Sequence, residues 1–332
     1  MRIAVIGAGS WGTALAQVLA GNGHDVGLWA RKPEVAAAIN ADHRNPRYLS
    51  DVVLSERIAA TSSHEEVLEG ACAAVIVTPS SIMRDVADRL AGLVGEDFPV
   101  IVCSKGVEEG SGLLPVEVFE AEMGNATRLA VLSGPNFAAE VIRGIPSGTV
   151  VASPDAGTAA FFQELFASDA FRTYASDDVI GVELCAAFKN VIAIAVGVSY
   201  GIGFGDNTAA MLMTRGIAEM SRLVVRCGGQ ALTCMGLAGT GDLVATCTSE
   251  HSRNRFGKLL AEGGTLEEFT ERTHMVVEGA LACRTLKTLA DAYGVELPIT
   301  DVVRSVVWEG ADPRDVAKTL TSRPLTTEFY GL

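Results

Sequence analysis

The stretch that most restricts what this chain can fold into is its first thirty residues. Ile3, Ala4, Val5 and Ile6 form an unbroken apolar run, the pattern of a strand buried on both faces of a parallel sheet. Gly7-Ala8-Gly9-Ser10-Trp11-Gly12 follows at once, then helix-forming residues from Thr13 to Ala20, then a second apolar strand over residues 25–29. A glycine turn placed between strand and helix has a physical reason for each glycine. Gly7 permits the tight turn, Gly9 lets the backbone approach a pyrophosphate, and Gly12 lets the helix pack close to the strand. The helix N-terminus then receives the anion. The segment therefore predicts a dinucleotide-binding turn. A signal peptide is a poorer account, because glycines and Ser10 break the apolar run too early.

The nucleotide's 2′ position is ordinarily read by an acid near the end of the second strand. Here that end is Trp29-Ala30-Arg31-Lys32, and Asp25 lies at the wrong end. Arg31 is placed to meet a 2′-phosphate, so NADP(H) is favoured, with NAD(H) the alternative.

Further apolar runs at 73–78, 99–103, 129–132, 149–152 and 171–174 alternate with helical stretches. That alternation predicts a doubly wound sheet with ligands beyond the carboxyl ends of its strands, where Pro79, Lys105 and Gly134 fall. From Val179 helical periodicity takes over, at 179–198, 208–226, 255–262, 278–293 and 299–307. The 332 residues thus divide into two domains. The expected fold is α/β: an N-terminal doubly wound Rossmann-type parallel sheet over 1–177, followed by an all-helical C-terminal domain over 178–332. A cleft between the halves is the default ligand site.

Charge removes several partner classes. Forty acidic against 26 basic residues give a net charge of −14, unsuited to nucleic acid or to an anionic membrane surface. The apolar run at 192–204 is shorter than the roughly 20 residues a membrane span needs. Seven scattered cysteines without a CxxC pair read as reduced thiols of a cytoplasmic protein. The five histidines show neither HxH nor HExxH spacing, so no metal site is inferred.

Lys189 is the most informative single residue. Its neighbours, Cys185-Ala186-Ala187-Phe188 and Val191-Ile192-Ala193, are apolar, and a lysine there must find a partner or reach solvent. It reads as an active-site cation beside Asn190, the alternatives being snorkelling or an ion pair with Glu183. Burial would lower its pKa toward a useful range. Lys105 follows a strand directly, at the sheet's ligand-facing edge. Asp242 opens a helix after Gly239-Thr240-Gly241 and could be a helix cap, with Thr246 four residues on along the same face. Ser252-Arg253-Asn254 gathers hydroxyl, guanidinium and amide donors suited to a phosphate, although a solvated turn would look the same.

Taken together, GAGSWGTALA (7–16), SKG (104–106), GPNFAAE (134–140), ELCAAFKNVIAIAVG (183–197), GLAGTGDLVATCTSEHSRNRFG (236–257) and VVEG (276–279) resemble the NAD(P)-dependent glycerol-3-phosphate dehydrogenase family. The resemblance implies interconversion of sn-glycerol 3-phosphate and dihydroxyacetone phosphate with NAD(P)H, supplying glycerophospholipid synthesis, by a homodimer. It makes Lys189 the proton acceptor and Lys105 a contact of both cofactor and substrate, with Asp242 orienting or charge-balancing the lysines as the third catalytic residue. Asp242, Ser252, Arg253 and Asn254, with Gly134, Asn136 and Asn190, fall on the substrate side. Gly7, Gly9, Ser10, Trp11, Gly12, Arg31, Gly134, Ala138, Arg253, Val276 and Glu278 fall on the cofactor side. Asn136 stands where the family usually has Ser or Thr.

Two other functions fit parts of the pattern. A dehydrogenase of 3-hydroxyacids or hydroxyacyl thioesters explains the glycine turn and Lys189 but not Ser252-Arg253-Asn254. An inactive NAD(P)-binding sensor would not need Lys189. Both ligands implied by the resemblance are anions in an acidic chain, so Lys105, Lys189, Arg253 and Arg31 are expected to converge on one positive pocket.

Overall fold

In the computed structural model, residues 1–249, 254–273, 277–322, 324–325, 327–328 and 331 are described. They form two compact units: residues 1–104 with 115–179, and residues 105–114 with 180–332.

The first unit is built on one eight-stranded sheet. Its strands are β1 (Arg2–Ile6), β2 (Asp25–Trp29), β3 (Ile58–Thr61), β4 (Ala74–Ile76), β5 (Val100–Val102), β6 (Leu129–Ser133), β7 (Ser147–Ala152) and β8 (Phe171–Ser176). Their order is β3-β2-β1-β4-β5-β6-β7-β8. The chain works outward from β1 to one edge, then returns to β4 on its other side, so the order reverses between β1 and β4. Ile3, Val5 and Leu28 are fully buried, as an internal parallel strand requires.

Two features differ from the sequence expectation. The sheet is not wholly parallel: β7 pairs antiparallel with β6, Leu132 opposite Val151, and β8 then runs parallel to β7. The connection from β6 to β7, residues 134–146, holds only the four-residue helix Ala138–Val141, and β7 turns back beside β6 instead of crossing over the sheet. The strand β3 was also not expected. Ile-Ala-Ala-Thr at a sheet edge alternates buried and exposed positions, with no continuous apolar run to announce it.

The second unit is helical among its described residues. Its axis is the helix Val179–Gly201, in which every residue from Gly181 to Ser199 is buried. At 23 residues, with a mean hydropathy of 2.0 in its most apolar window, it is long and apolar enough to cross a membrane, contrary to the shorter run expected from sequence. Yet 89% of its most apolar window is buried inside the protein, as in a core helix. The helices Asp206–Arg226, Asp242–Thr248, Glu278–Tyr293 and Pro298–Glu309 belong to the same unit. Two helices that the periodicity had not marked, Leu266–Thr273 and Pro313–Thr321, are short and mostly exposed.

Candidate active site

In the first unit the glycine turn is a cradle made by what its residues lack. Gly7 sits at φ +125°, and a Cβ there would lie 2.4 Å from the Val77 carbonyl oxygen just beyond β4. A Cβ on Gly12 would come within 1.8 Å of the Gly7 carbonyl oxygen. Both positions therefore admit no side chain. Gly9 is different: a Cβ there would meet nothing within 4 Å. Its missing side chain leaves open space at the N-terminus of the helix Ser10–Gly21, whose cap residue offers no side-chain hydrogen bond. The residues present thus fit a dinucleotide pyrophosphate, which needs close backbone approach and unpaired helix N–H groups.

Ser10 and Trp11 begin that helix, and Trp11 packs edge-on against Phe171 with ring centroids 6.4 Å apart. Arg31 is exposed directly after β2 and has no acidic partner among the described residues. Asp25, at the start of β2, is held instead by Arg57 at 3.0 Å.

Gly134 and Asn136 follow β6. A Cβ on Gly134 would press on the Gly148 carbonyl oxygen at 2.8 Å, so packing already demands a glycine there. The Asn136 Nδ2 donates to Gly148 O at 2.9 Å, which fixes the amide's orientation and leaves Oδ1 buried without a protein partner. Ala138 begins the short helix Ala138–Val141 and packs against the core.

In the second unit the cations converge on one carboxylate. Lys189 Nζ donates to Asp242 Oδ1 at 2.5 Å and Lys105 Nζ to Oδ2 at 2.8 Å. Lys189 also reaches Thr246 Oγ1 at 3.3 Å, and that hydroxyl lies 3.4 Å from Asp242 Oδ1. Lys189 is 5% exposed and Asp242 3%. Each lysine lies far from Asp242 in sequence, 53 and 137 residues away. Asp242 therefore does not act as a helix cap, since its side chain faces the lysines and no capping hydrogen bond forms. Thr246 was marked only by its four-residue spacing, and that spacing is what brings it to the pair.

Burial pushes the Asp242 carboxyl upward, but Lys105 and Lys189 outweigh it and hold the group below the usual carboxylate range. Burial likewise pushes Lys105 down, while the Asp242 carboxylate, aided by Glu278, lifts it above the usual ammonium range. Lys105 is therefore a permanent cation at neutral pH. The two lysines thus face the Asp242 carboxylate directly, and Glu278 adds a second carboxylate acting on Lys105. Burial drives the nearby Cys247 thiol up to about 12, so it remains neutral. Asn190 Nδ2 donates to Glu278 Oε2 at 3.4 Å, while its Oδ1 is buried without a protein partner.

Of the four cations expected to converge, Lys105 and Lys189 meet in the second unit, and Arg31 is described with the first. Ser252, Arg253 and Val276 lie outside the described residues. The side chain of Asn254, which opens the helix Asn254–Ala261, does as well.

Family models match both parts of the chain. Residues 2–159 match the NAD-dependent glycerol-3-phosphate dehydrogenase N-terminus, and residues 178–318 match its C-terminus. A glycerol-3-phosphate dehydrogenase [NAD(P)+] of Nitratidesulfovibrio vulgaris is 47% identical over 331 residues, covering 99% of this chain and 100% of the relative. The protein of the same name from Oleidesulfovibrio alaskensis is 48% identical over 331 residues, with the same coverage. Among solved structures, the glycerol-3-phosphate dehydrogenase of Coxiella burnetii superposes with a TM-score of 0.93 at 38% identity. The match covers 97% of this chain and 99% of that one.

Proposed function

Because this chain belongs to the NAD-dependent glycerol-3-phosphate dehydrogenase family, we propose that it interconverts sn-glycerol 3-phosphate and dihydroxyacetone phosphate with NAD(P)H, supplying glycerophospholipid synthesis. The observation that carries the chemistry is the buried Asp242 carboxylate gripping both Lys189 and Lys105.

When bound, the nicotinamide cofactor supplies or accepts the hydride at the substrate's carbonyl carbon. The chain's own groups manage the proton and the charge. In reduction, Lys189 Nζ delivers a proton to the oxygen that gains negative charge; in oxidation, neutral Lys189 removes the hydroxyl proton. Lys105 remains an ammonium and stabilises negative charge beside it. Asp242 orients both lysines and offsets the cost of burying them. Asn190 and Asn136 each offer a buried, unpaired amide oxygen, suited to accepting from a substrate hydroxyl or a carboxamide N–H. Ser252, Arg253 and Asn254 are proposed to grip the phosphate, with Arg253 also touching the cofactor. Val276, Glu278, Ala138, Gly134, Ser10 and Trp11 complete the proposed cofactor contacts.

NADP(H) is the proposed preference, supported by Arg31, exposed and without an acidic partner among the described residues, where an acid would read a ribose 2′-hydroxyl. A homodimer is proposed too, supported by Leu232 and Met235, which are 77% and 64% exposed in the second unit. Seven cysteines with no disulfide among the described residues support a cytoplasmic location.

Comparing dihydroxyacetone phosphate with unphosphorylated dihydroxyacetone tests the substrate class. The phosphate ester should be favoured in kcat/KM by a factor on the order of 100 or more, the worth of charged hydrogen bonds to the phosphate. Equal rates, or faster turnover of a 3-hydroxyacid, would contradict the proposal.

A further inference from the structure

Asn45 takes no part in the chemistry above, yet it is fully buried in the first unit and uses its whole amide. Nδ2 donates to the Ala8 carbonyl oxygen at 3.0 Å and to Thr13 Oγ1 at 2.9 Å. Oδ1 accepts from the backbone N–H of Arg47 at 3.1 Å and of Tyr48 at 3.2 Å. One end of the side chain therefore holds the glycine turn, and the other folds its own loop into an Asx turn.

That loop is closed and anchored. Leu54 N donates to His43 O at 2.7 Å, Arg44 Nη1 to Ser50 O at 3.0 Å, and Ser55 N to Gln17 Oε1 at 2.9 Å. His43 and Leu49 adopt φ of 48° and 56°, a left-handed conformation that side chains rarely take without compensation. The loop thus has a fixed shape, and Asn45 is its link to the cradle.

The consequence lies in the peptide between Ala8 and Gly9. A trans peptide is planar, so its C=O and N–H point in opposite directions. Holding the Ala8 carbonyl toward Asn45 turns the Gly9 N–H the other way, and Gly9 is the glycine whose missing Cβ leaves open space. We propose that Asn45 is a positioning residue for the dinucleotide: it fixes the Ala8–Gly9 peptide so that the Gly9 N–H is presented to the pyrophosphate. Only an amide of this length can donate to Ala8 and Thr13 while accepting from Arg47 and Tyr48. Aspartate keeps the acceptor end and loses the donor end.

The inference rests on the dinucleotide reading of the glycine turn, and the test separates the two. NADH and NADPH dissociation constants are measured by fluorescence titration of the full-length parent, Asn45→Asp, Asn45→Ala and Thr13→Val. Both Asn45 variants should bind both nucleotides about tenfold more weakly or worse, the effect of losing one hydrogen bond that orients a charged group. At saturating nucleotide, kcat and the KM for dihydroxyacetone phosphate should stay at parental values, because the lysine cluster is untouched. Thr13→Val removes the second acceptor but leaves the Ala8 bond, so its nucleotide affinity should match the parent's. Parental affinity in folded Asn45→Asp and Asn45→Ala would overturn the inference, as would an equal loss in kcat and substrate KM. If the parent binds neither nucleotide, the dinucleotide reading fails and takes this inference with it.

Discussion

The glycine cradle of the first unit and the lysine cluster of the second solve opposite problems. The cradle is local and nearly without side chains: three glycines within six residues, two closed to any side chain and the third facing open space at a helix N-terminus. The cluster is non-local and dominated by charge: Lys105, Lys189 and Asp242 come together from distant parts of the chain, with Lys189 and Asp242 buried and Lys105 half-buried. A backbone cradle tolerates almost no added atoms but carries no net charge to compensate. A buried charge cluster tolerates some change of shape but not the loss of a single charge. On the proposed function, one holds a nucleotide and the other moves a proton.

The largest expected effect is on the cluster. Lys189→Met should lower kcat by about 10²- to 10⁴-fold, the usual worth of general acid–base catalysis, as measured by steady-state assay. Asp242→Asn comes next, because it leaves the buried Lys189 and the half-buried Lys105 facing a neutral amide. It should destabilise the protein by about 3–5 kcal/mol in urea unfolding, the cost of breaking a buried ion pair by removing one partner.

The cluster also sets a pH window for stability. Asp242 is held below its ordinary range, so its contribution is present at neutral pH and is lost as pH falls through that lowered value. Lys105 is held above its ordinary range, so its contribution is present below the usual ammonium pKa and is lost as pH rises through the raised value. Urea midpoints measured across pH should therefore drop at both extremes, and Asp242→Asn should flatten the acid side.

The cradle predicts a split between two glycines. Gly12→Ala places a methyl against the Gly7 carbonyl and should cost about 1–3 kcal/mol or more, as overpacking does. Gly9→Ala meets no protein atom, so its Tm should match the parent's, while NADH affinity falls about tenfold, equivalent to 1.4 kcal/mol. The smallest effect is expected at the rim. Arg31→Asp should weaken NADPH by about tenfold, as loss of one charge-assisted contact would, and leave NADH nearly unchanged. An unchanged NADPH affinity would remove Arg31 from the 2′ site.

The same contrast explains what could be read from the residues. The cradle was legible because its determinants are contiguous: strand, turn and helix follow one another between Arg2 and Gly21. Lys189 was legible because a lysine among Cys185, Ala186, Ala187 and Phe188 is anomalous. That Asp242 balances the lysines followed from the family resemblance and not from its own position, because a helix-opening aspartate looks like a cap until the fold turns it inward. Nor was the membership of Lys105 in the helical unit legible, since the chain reaches it straight from β5. The reversed direction of β7 and the alanine-rich edge strand β3 escaped for a related reason: pairing direction and edge position are set by neighbours, which local pattern does not record. Asn45 reads as an ordinary loop residue, and only its four hydrogen bonds mark it out.

On the proposed function, nucleotide holding and proton transfer are separate labours of the two units. Titrating NADH into Lys189→Met tests it most directly. The account predicts a dissociation constant equal to the parent's in a protein whose turnover has collapsed. Loss of NADH binding in proportion to the loss of turnover would contradict it.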